Sequence, residues 1–223
     1  CAETITWNDS RDIDQVVTIG PEDTLVITSG VYSFSSGYLH IKGALVVEPA
    51  PEDSVLFTSA NTSAVLNQFL LFDTDRLSDS RIRNAEFATL EEEHKPECFV
   101  STTFSCKGLL AIEKTNVRNG WSRAAIQVRS GSISVEDSVF NGSSGAILSR
   151  STGSLKVKNT TFSGQGWAID TVCEQDDWNR TIILEGNNFN STLSIRSVGC
   201  GNLRIEDNSA TTQQFLLAET ECA

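Results

Sequence analysis

Between residues 131 and 212 one short pattern recurs four times. It reads Ile133-Ser134-Val135-Glu136-Asp137-Ser138-Val139-Phe140, then Leu155-Lys156-Val157-Lys158-Asn159-Thr160-Thr161-Phe162. Two further copies are Ile182-Ile183-Leu184-Glu185-Gly186-Asn187-Asn188-Phe189 and Leu203-Arg204-Ile205-Glu206-Asp207-Asn208-Ser209-Ala210. A weaker copy, Leu110-Ala111-Ile112-Glu113-Lys114-Thr115-Asn116-Val117, precedes them, and successive copies begin 23, 22, 27 and 21 residues apart. Each starts with the period-2 alternation of a strand that buries one face. Each then passes through Asp, Asn, Ser or Thr turn residues to an apolar position. Strand signals at this spacing, with no 3.6-residue apolar period between them, predict an all-β solenoid of stacked coils with little or no helix.

A second strand recurs between the first ones, as Ala125-Ile126, Ala146-Ile147, Ala168-Ile169, Ser194-Ile195 and Leu216-Leu217, with offsets of 21, 22, 26 and 22. A short third strand is expected around each Phe. Alternation puts Ile133, Val135 and Phe140 inside, stacked on Leu155, Val157 and Phe162 and then on Ile182, Leu184 and Phe189, at about 4.8 Å per coil. Ser134 and Glu136 face outward. The 223 residues are then one elongated domain, with residues 1–23 as a cap or first coil, 24–107 as degenerate coils carrying a long insertion at 90–107, and 108–223 as regular coils.

The motifs Phe140-Asn141-Gly142 with Gly145-Ala146-Ile147, and Phe162-Ser163-Gly164 with Gly166-Trp167-Ala168-Ile169, carry a resemblance to known proteins. The pattern resembles the right-handed parallel β-helix of the pectin-lyase-like superfamily. The repeats themselves look like those of polymorphic outer-membrane adhesins, although the Gly-Gly-Ala-Ile of that family is imperfect in every copy here. The resemblance covers residues 108–217 and extends in degenerate form over 24–87. It implies a parallel β-helix, here of eight to ten coils.

Seventeen basic against 29 acidic residues give a net charge of −12. That argues against nucleic acid, whose phosphates require a basic face, and against polyanionic sugars unless Ca²⁺ bridges the two surfaces. No run of apolar residues is long enough to span a membrane as a helix. Six cysteines and six Asn-x-Ser/Thr sequons, at Asn8, Asn61, Asn141, Asn159, Asn179 and Asn190, point to an oxidising, secretory compartment. The chain begins at Cys1 and contains no Met, which reads as a processed or excised chain, with a lipidated N-terminal cysteine as the competing account.

Aligning the coils puts Cys106, Cys173, Cys200 and Cys222 in one column, at the turn before the Leu-x-Ile strand. Cys173 and Cys200 then fall on adjacent coils, close enough to bond, and Cys98 and Cys106 would close a small loop. Cys1 and Cys222, about 40 Å apart at opposite ends of such a solenoid, are left undecided. A bond between subunits is one reading, and Cys200 paired with Cys222 is another. The insertions at 90–107 and 174–180 are expected at the same turn and so on one side of the solenoid. Asn141 and Asn190 share a second column.

Candidate chemistry is sparse. His40 and His94, the two histidines, lack the partners of a nucleophile triad. Weak oxygen or imidazole clusters for a metal are His94 with Glu91, Glu92 and Glu93, and Asp73, Asp75 and Asp79; solvated turns are the preferred account of both. Of the polysaccharide-hydrolase signatures on this fold, Asp176-Asp177 alone is present, without its histidine and arginine companions. Arg196 and Asp170 are expected to face each other as a surface ion pair rather than as a proton-abstracting set. No catalytic set, metal or cofactor is therefore expected. Trp178, beside Asp176 and Asp177, is a candidate for stacking on a sugar ring or contacting a partner, whereas Trp121 and Trp167 are expected to pack.

The expectation is a secreted, glycosylated, non-enzymatic structural or adhesive module that contacts extracellular proteins or glycans. Phe215-Leu216-Leu217 with no obvious polar cap beyond adds end-to-end self-association, as in a filament subunit. The alternatives are a polysaccharide lyase, epimerase or hydrolase with a divergent site on the insertion face, and a non-catalytic carbohydrate-binding module.

Overall fold

The computed structural model describes residues 2–59, 68–89, 96–118, 121–142, 144–151, 153–164, 166–172, 180–198, 202–211 and 214–219. They form a parallel β-solenoid. Its strands fall into three sheets of nine, and each strand pairs in parallel with its counterpart one coil away. The first sheet runs from Thr4–Trp7 to Asn202–Glu206, the second from Arg11–Ile13 to Ser209–Ala210, and the third from Val17–Ile19 to Gln214–Glu219. One 3-10 turn, Leu77–Asp79, is the helical element among the described residues.

The repeat columns are the pairing registers. Leu110, Ile133, Leu155, Ile182 and Leu203 are successive partners in the first sheet. Val117, Phe140, Phe162, Phe189 and Ala210 are successive partners in the second. The apolar side of each strand is buried in a single core. Its rings stack coil on coil, Phe140 to Phe162 at 5.2 Å and Phe162 to Phe189 at 5.1 Å between centroids. A second run, Trp7, Tyr32, Phe57 and Phe87, is held at 5.8, 5.5 and 4.8 Å. Coils that read as degenerate before residue 108 are thus built on the same aromatic spine, with ring type and spacing varied.

From the fourth coil on, one left-handed residue starts the turn from the first sheet into the second. Asn84, Lys114, Asp137, Asn159 and Asp207 have φ between 48° and 53°, and Gly186 stands at 66° in the same place. Asn, Asp and Gly tolerate that region, whereas a Cβ with a long aliphatic stem does so at a cost of about 1–2 kcal/mol. Lys114 is the exception in the column. Lys114→Asn is expected to raise stability by a few tenths to about 1 kcal/mol, read as a higher denaturation midpoint at unchanged slope.

After Asn84 comes Ala85, but in the later coils the next residue is polar and points its side chain along the stack. The Ser138 hydroxyl accepts from the Thr115 N–H at 3.1 Å, the Asn187 amide oxygen from the Thr160 N–H at 2.9 Å, and that of Asn208 from the Asn187 N–H at 2.8 Å. These donors are buried, so each would be costly without its acceptor. The Asp/Asn/Ser/Thr turn seen in the repeat is therefore a left-handed residue followed by a buried polar ladder.

Two expectations are corrected. Ile195 pairs with Leu216, so the last copy of the second strand is one residue out of the expected step. Phe215, not Leu216, continues the column of Ala168 and Ser194, because its ring packs edge-on against Phe189 at 5.9 Å. The stretch 90–107 is also not one insertion. The strand Val100–Thr102 sits within it and belongs to the third sheet. The chain between Ala88 and Val100 joins the second sheet to the third, and that between Thr102 and Leu109 joins the third to the next coil of the first.

Candidate functional site

The outer face of the first sheet satisfies its own charges. Arg83, Glu113, Glu136, Lys158, Glu185 and Glu206 follow one another in register. Arg83 bridges Glu48 and Glu113 at 3.1 and 2.7 Å, Lys156 holds Glu136 at 2.6 Å, and Lys158 holds Glu185 at 2.5 Å. The hydrogen bond from Arg81 keeps the Glu48 carboxyl below its usual range, and that from Lys156 does the same for Glu136. On the second sheet Arg118 pairs with Glu86.

The outer face of the third sheet differs. Its middle column runs His40, Leu71, Ser101, Gln127, Leu148, Asp170 and Arg196. Gln127 lies between Ile126 and Val128, which belong to the core, so alternation sends it outward. It is nevertheless 5% exposed, and Leu148 beside it 6%. The two form the floor of a cavity of about 190 Å³, lined also by Phe104, Arg123, Val128, Arg129 and Arg150. Arg129 and Arg150 follow paired strands, Ala124–Val128 and Gly145–Ser149, with the Arg150 N–H donating to the Val128 carbonyl at 2.8 Å. They are therefore neighbours about 4.8 Å apart along the stack. Arg123 enters from the other end of the same strand. The Arg129 guanidinium lies 5.9 Å from the Phe104 ring centre, and Phe104 itself is 75% exposed.

Among the described residues none of these three arginines has an ion-pair partner, whereas Arg11, Arg76, Arg81, Arg83, Arg118, Arg196 and Arg204 each do. The Gln127 amide nitrogen is closed off from solvent and has no hydrogen-bond partner. An arrangement of guanidiniums, one amide donor and an apolar wall can bind an anion and orient it. It cannot exchange protons at neutral pH, because guanidinium does not titrate there.

Asp170 and Arg196 are partners in adjacent coils, with carboxylate and guanidinium 3.6 Å apart, the expected ion pair. His40 meets Asp73 at 3.4 Å, and Asp73 also accepts from Ser105 and, at 2.8 Å, from Thr103. Asp79 is taken by Arg76 at 2.9 Å. These carboxylates, considered as cation ligands, are engaged within the protein, and no cluster of three metal-ligating residues occurs among the described residues. The hydroxyl hydrogen bonds, Ser105 first, draw the Asp73 pKa below 3.8. A depressed carboxylate stabilises the fold at neutral pH and loses that contribution as pH falls through the folded-state value. Replacing Ser105 with Ala and Thr103 with Val is expected to move the Asp73 titration up towards 3.8, as followed by NMR of its carboxyl carbon.

Cys98 and Cys106 are buried thiols rather than a bonded pair, which corrects the expected small loop. They flank opposite ends of Val100–Thr102. Cys98 precedes it, while the Cys106 thiol donates to the Phe72 carbonyl at 3.1 Å beyond its far end. The strand Val100–Thr102 alone separates them by about 10 Å, beyond the reach of a disulfide. Burial pushes the Cys98 thiol up to about 12. Cys1, Cys173, Cys200, Cys222, Asn61, Glu91, Glu92, Glu93, His94, Asp176, Asp177, Trp178 and Asn179 lie outside the described residues. Asn8, Asn141, Asn159 and Asn190 are exposed. Asn141 and Asn190 share a column with Ser163 between them. Trp121 is fully buried and donates its indole N–H to the Gly145 carbonyl. Trp167 lies across Gly145, where any Cβ would sit 1.9 Å from the ring.

Little in the sequence marks the cavity, because its arginines flank strands and read as ordinary solvated charges. A signal existed: Arg129 and Arg150 are 21 residues apart, the step from Ala125 to Ala146. Searched against family models, curated proteins and solved structures, the chain matches none.

Proposed function

We propose that this chain is a secreted, glycosylated, non-enzymatic β-helix module that acts as an extracellular structural and adhesive surface, with the outer face of the third sheet as its contact face. The observation that carries the reading is the contrast between faces: cations on the first sheet are matched by carboxylates, whereas Arg123, Arg129 and Arg150 converge on a cavity with no ion-pair partner among the described residues. Groups that bind anions without titrating serve recognition better than proton transfer. The likeness of the repeats to those of polymorphic outer-membrane adhesins supports the same reading. So do the exposed sequon asparagines Asn141 and Asn190 on the second sheet, where glycans would leave the third sheet clear.

Beads coated with the glycosylated chain test this directly. Adhesion to cells and to extracellular-matrix preparations is expected to fall steeply with added salt. The Arg123→Ala/Arg129→Ala/Arg150→Ala triple variant should abolish it, and Arg204→Ala should leave it intact. Equal adhesion by the triple variant, or turnover of any member of a panel of neutral and uronic polysaccharides, would sink the proposal.

A further inference from the structure

We infer that the cavity on the third sheet binds a compact oxyanion ester: a sulfate or phosphate group held by Arg129 and Arg150, carried on a small ring that rests against Leu148 and Phe104. The inference builds on the reading of this face as the contact face and adds the class of ligand.

Three lines converge on it. Arg129 and Arg150 stand side by side on adjacent coils with Arg123 opposite, so three positive charges line a cavity of about 190 Å³. The next carboxylate along the column, Asp170, is engaged by Arg196. A single carboxylate would leave most of that charge uncompensated, whereas a phosphate monoester carries about −1.5 to −2 and offers three acceptor oxygens to paired guanidinium forks. Second, the Gln127 amide nitrogen at the floor is a donor without a partner among the described residues, in a side chain 95% removed from solvent, since its exposure is 5%. Native proteins rarely leave such a donor unmatched, and a turn of the amide toward the cavity would give it a bound oxyanion as partner. Third, the chain as a whole carries −12. A long polyanion laid on this surface meets that field along its length. A compact group feels chiefly the charges within about 8 Å, the screening length at physiological salt. The site therefore favours a small or terminal ester over a polymer. The apolar side of the cavity, Leu148 and the exposed Phe104 ring, supplies a surface for the ring that bears the ester.

Titration calorimetry at constant ionic strength, with sodium sulfate, inorganic phosphate, glucose 6-phosphate, glucosamine 6-sulfate and neutral glucose, separates the sources. Both free ions are expected to bind saturably at one site, and the sugar esters about tenfold tighter through the ring. Arg129→Ala and Arg150→Ala should each weaken ions and esters alike by about tenfold. Phe104→Ala should weaken the esters alone, and Arg204→Ala should change nothing. Gln127→Leu should weaken binding while raising the unliganded melting temperature, a trade that a purely structural glutamine would not produce. Identical binding by native chain and the Arg129→Ala/Arg150→Ala double variant would overturn the site. Free ions binding as well as their esters would overturn the ring assignment, and binding only of sulfated polymer would overturn the compact ligand. If the triple variant loses bead adhesion yet no small oxyanion binds, the ligand class falls and the contact face stands. If small oxyanions bind but the coated beads do not adhere, the ligand class stands and the adhesive role falls.

Discussion

Phe162→Ala is expected to cost about 3–5 kcal/mol of folding stability. The ring is fully buried and stacks on Phe140 below and Phe189 above, at 5.2 and 5.1 Å with interplanar angles of 17° and 4°. In a solenoid each coil contacts only its neighbours, so stability is close to a sum of coil interfaces. An interior ring contributes to two of them. The void left by alanine is walled by pleated backbone on three sides, which resists collapse and keeps the loss near the upper end of the range. Urea unfolding of the two chains, compared at a common slope, measures it. A loss below about 1 kcal/mol would mean that the stack is not what holds these coils together.

Asn187→Ala is expected to cost about 3 kcal/mol through hydrogen bonding rather than packing. The side chain accepts from the Thr160 N–H at 2.9 Å and donates to the Val157 carbonyl and the Asn208 side-chain oxygen, both at 2.9 Å. Alanine leaves the Thr160 donor buried without an acceptor, the expensive half of any hydrogen-bond deletion. Asn187→Asp keeps the shape but loses both donations and buries a charge beside two oxygens. Its protonated form can still donate once, so the penalty is expected to grow as pH rises from 4 to 7. Thermal melts of both variants at the two pH values test the ladder. An aspartate variant as stable at pH 7 as at pH 4 would refute the role assigned to the amide nitrogen.

These two residues also mark what the sequence made legible. Phe162 and Asn187 occupy recurring letters because each coil repeats the same environment at the same place. A ring inside the corner and a polar acceptor after a left-handed turn are dictated by backbone geometry, so they recur wherever the coil recurs. The registers from Leu110 to Leu203 and from Val117 to Ala210 could be read for that reason. Where the environment changes, the letters change with it. Trp7, Tyr32 and Phe57 hold one spine with different rings, which weakened the repeat in the early coils. Phe215 displaced the last register by one residue, because aromatic packing on Phe189 outweighed the match of Leu216-Leu217 to Ser194-Ile195.

The candidate site was harder to read because it is assembled from ends. Arg123 and Arg129 lie on either side of Ala124–Val128, a full strand apart in sequence, and meet only because long side chains reach back over the sheet. Strand alternation alone sends Gln127 outward like any polar residue, and only the structure shows it 5% exposed at the floor of the cavity. Cys98 and Cys106 show the converse error. Closeness in sequence suggested a bond, and an intervening strand holds them apart.

The column of left-handed turn residues carries a consequence for length. Because Lys114, Asp137 and Asn159 bend the chain at one common corner, the coils they belong to enter and leave the first two sheets at equivalent points, which makes whole coils close to interchangeable there. Excising residues 133–154 would join the strand beginning near Leu110 to that beginning at Leu155, setting Val117 directly against Phe162 and Thr115 against Thr160. The molecule would shorten by one step of about 4.8 Å and keep the first two sheets in register, while in the third Trp167 would meet Ala124 in place of Gly145 and have to repack. The fold is in this sense a ruler with molecular graduations, on which the reach of a surface can be reset by whole coils, with repacking where a large ring such as Trp167 meets a new neighbour.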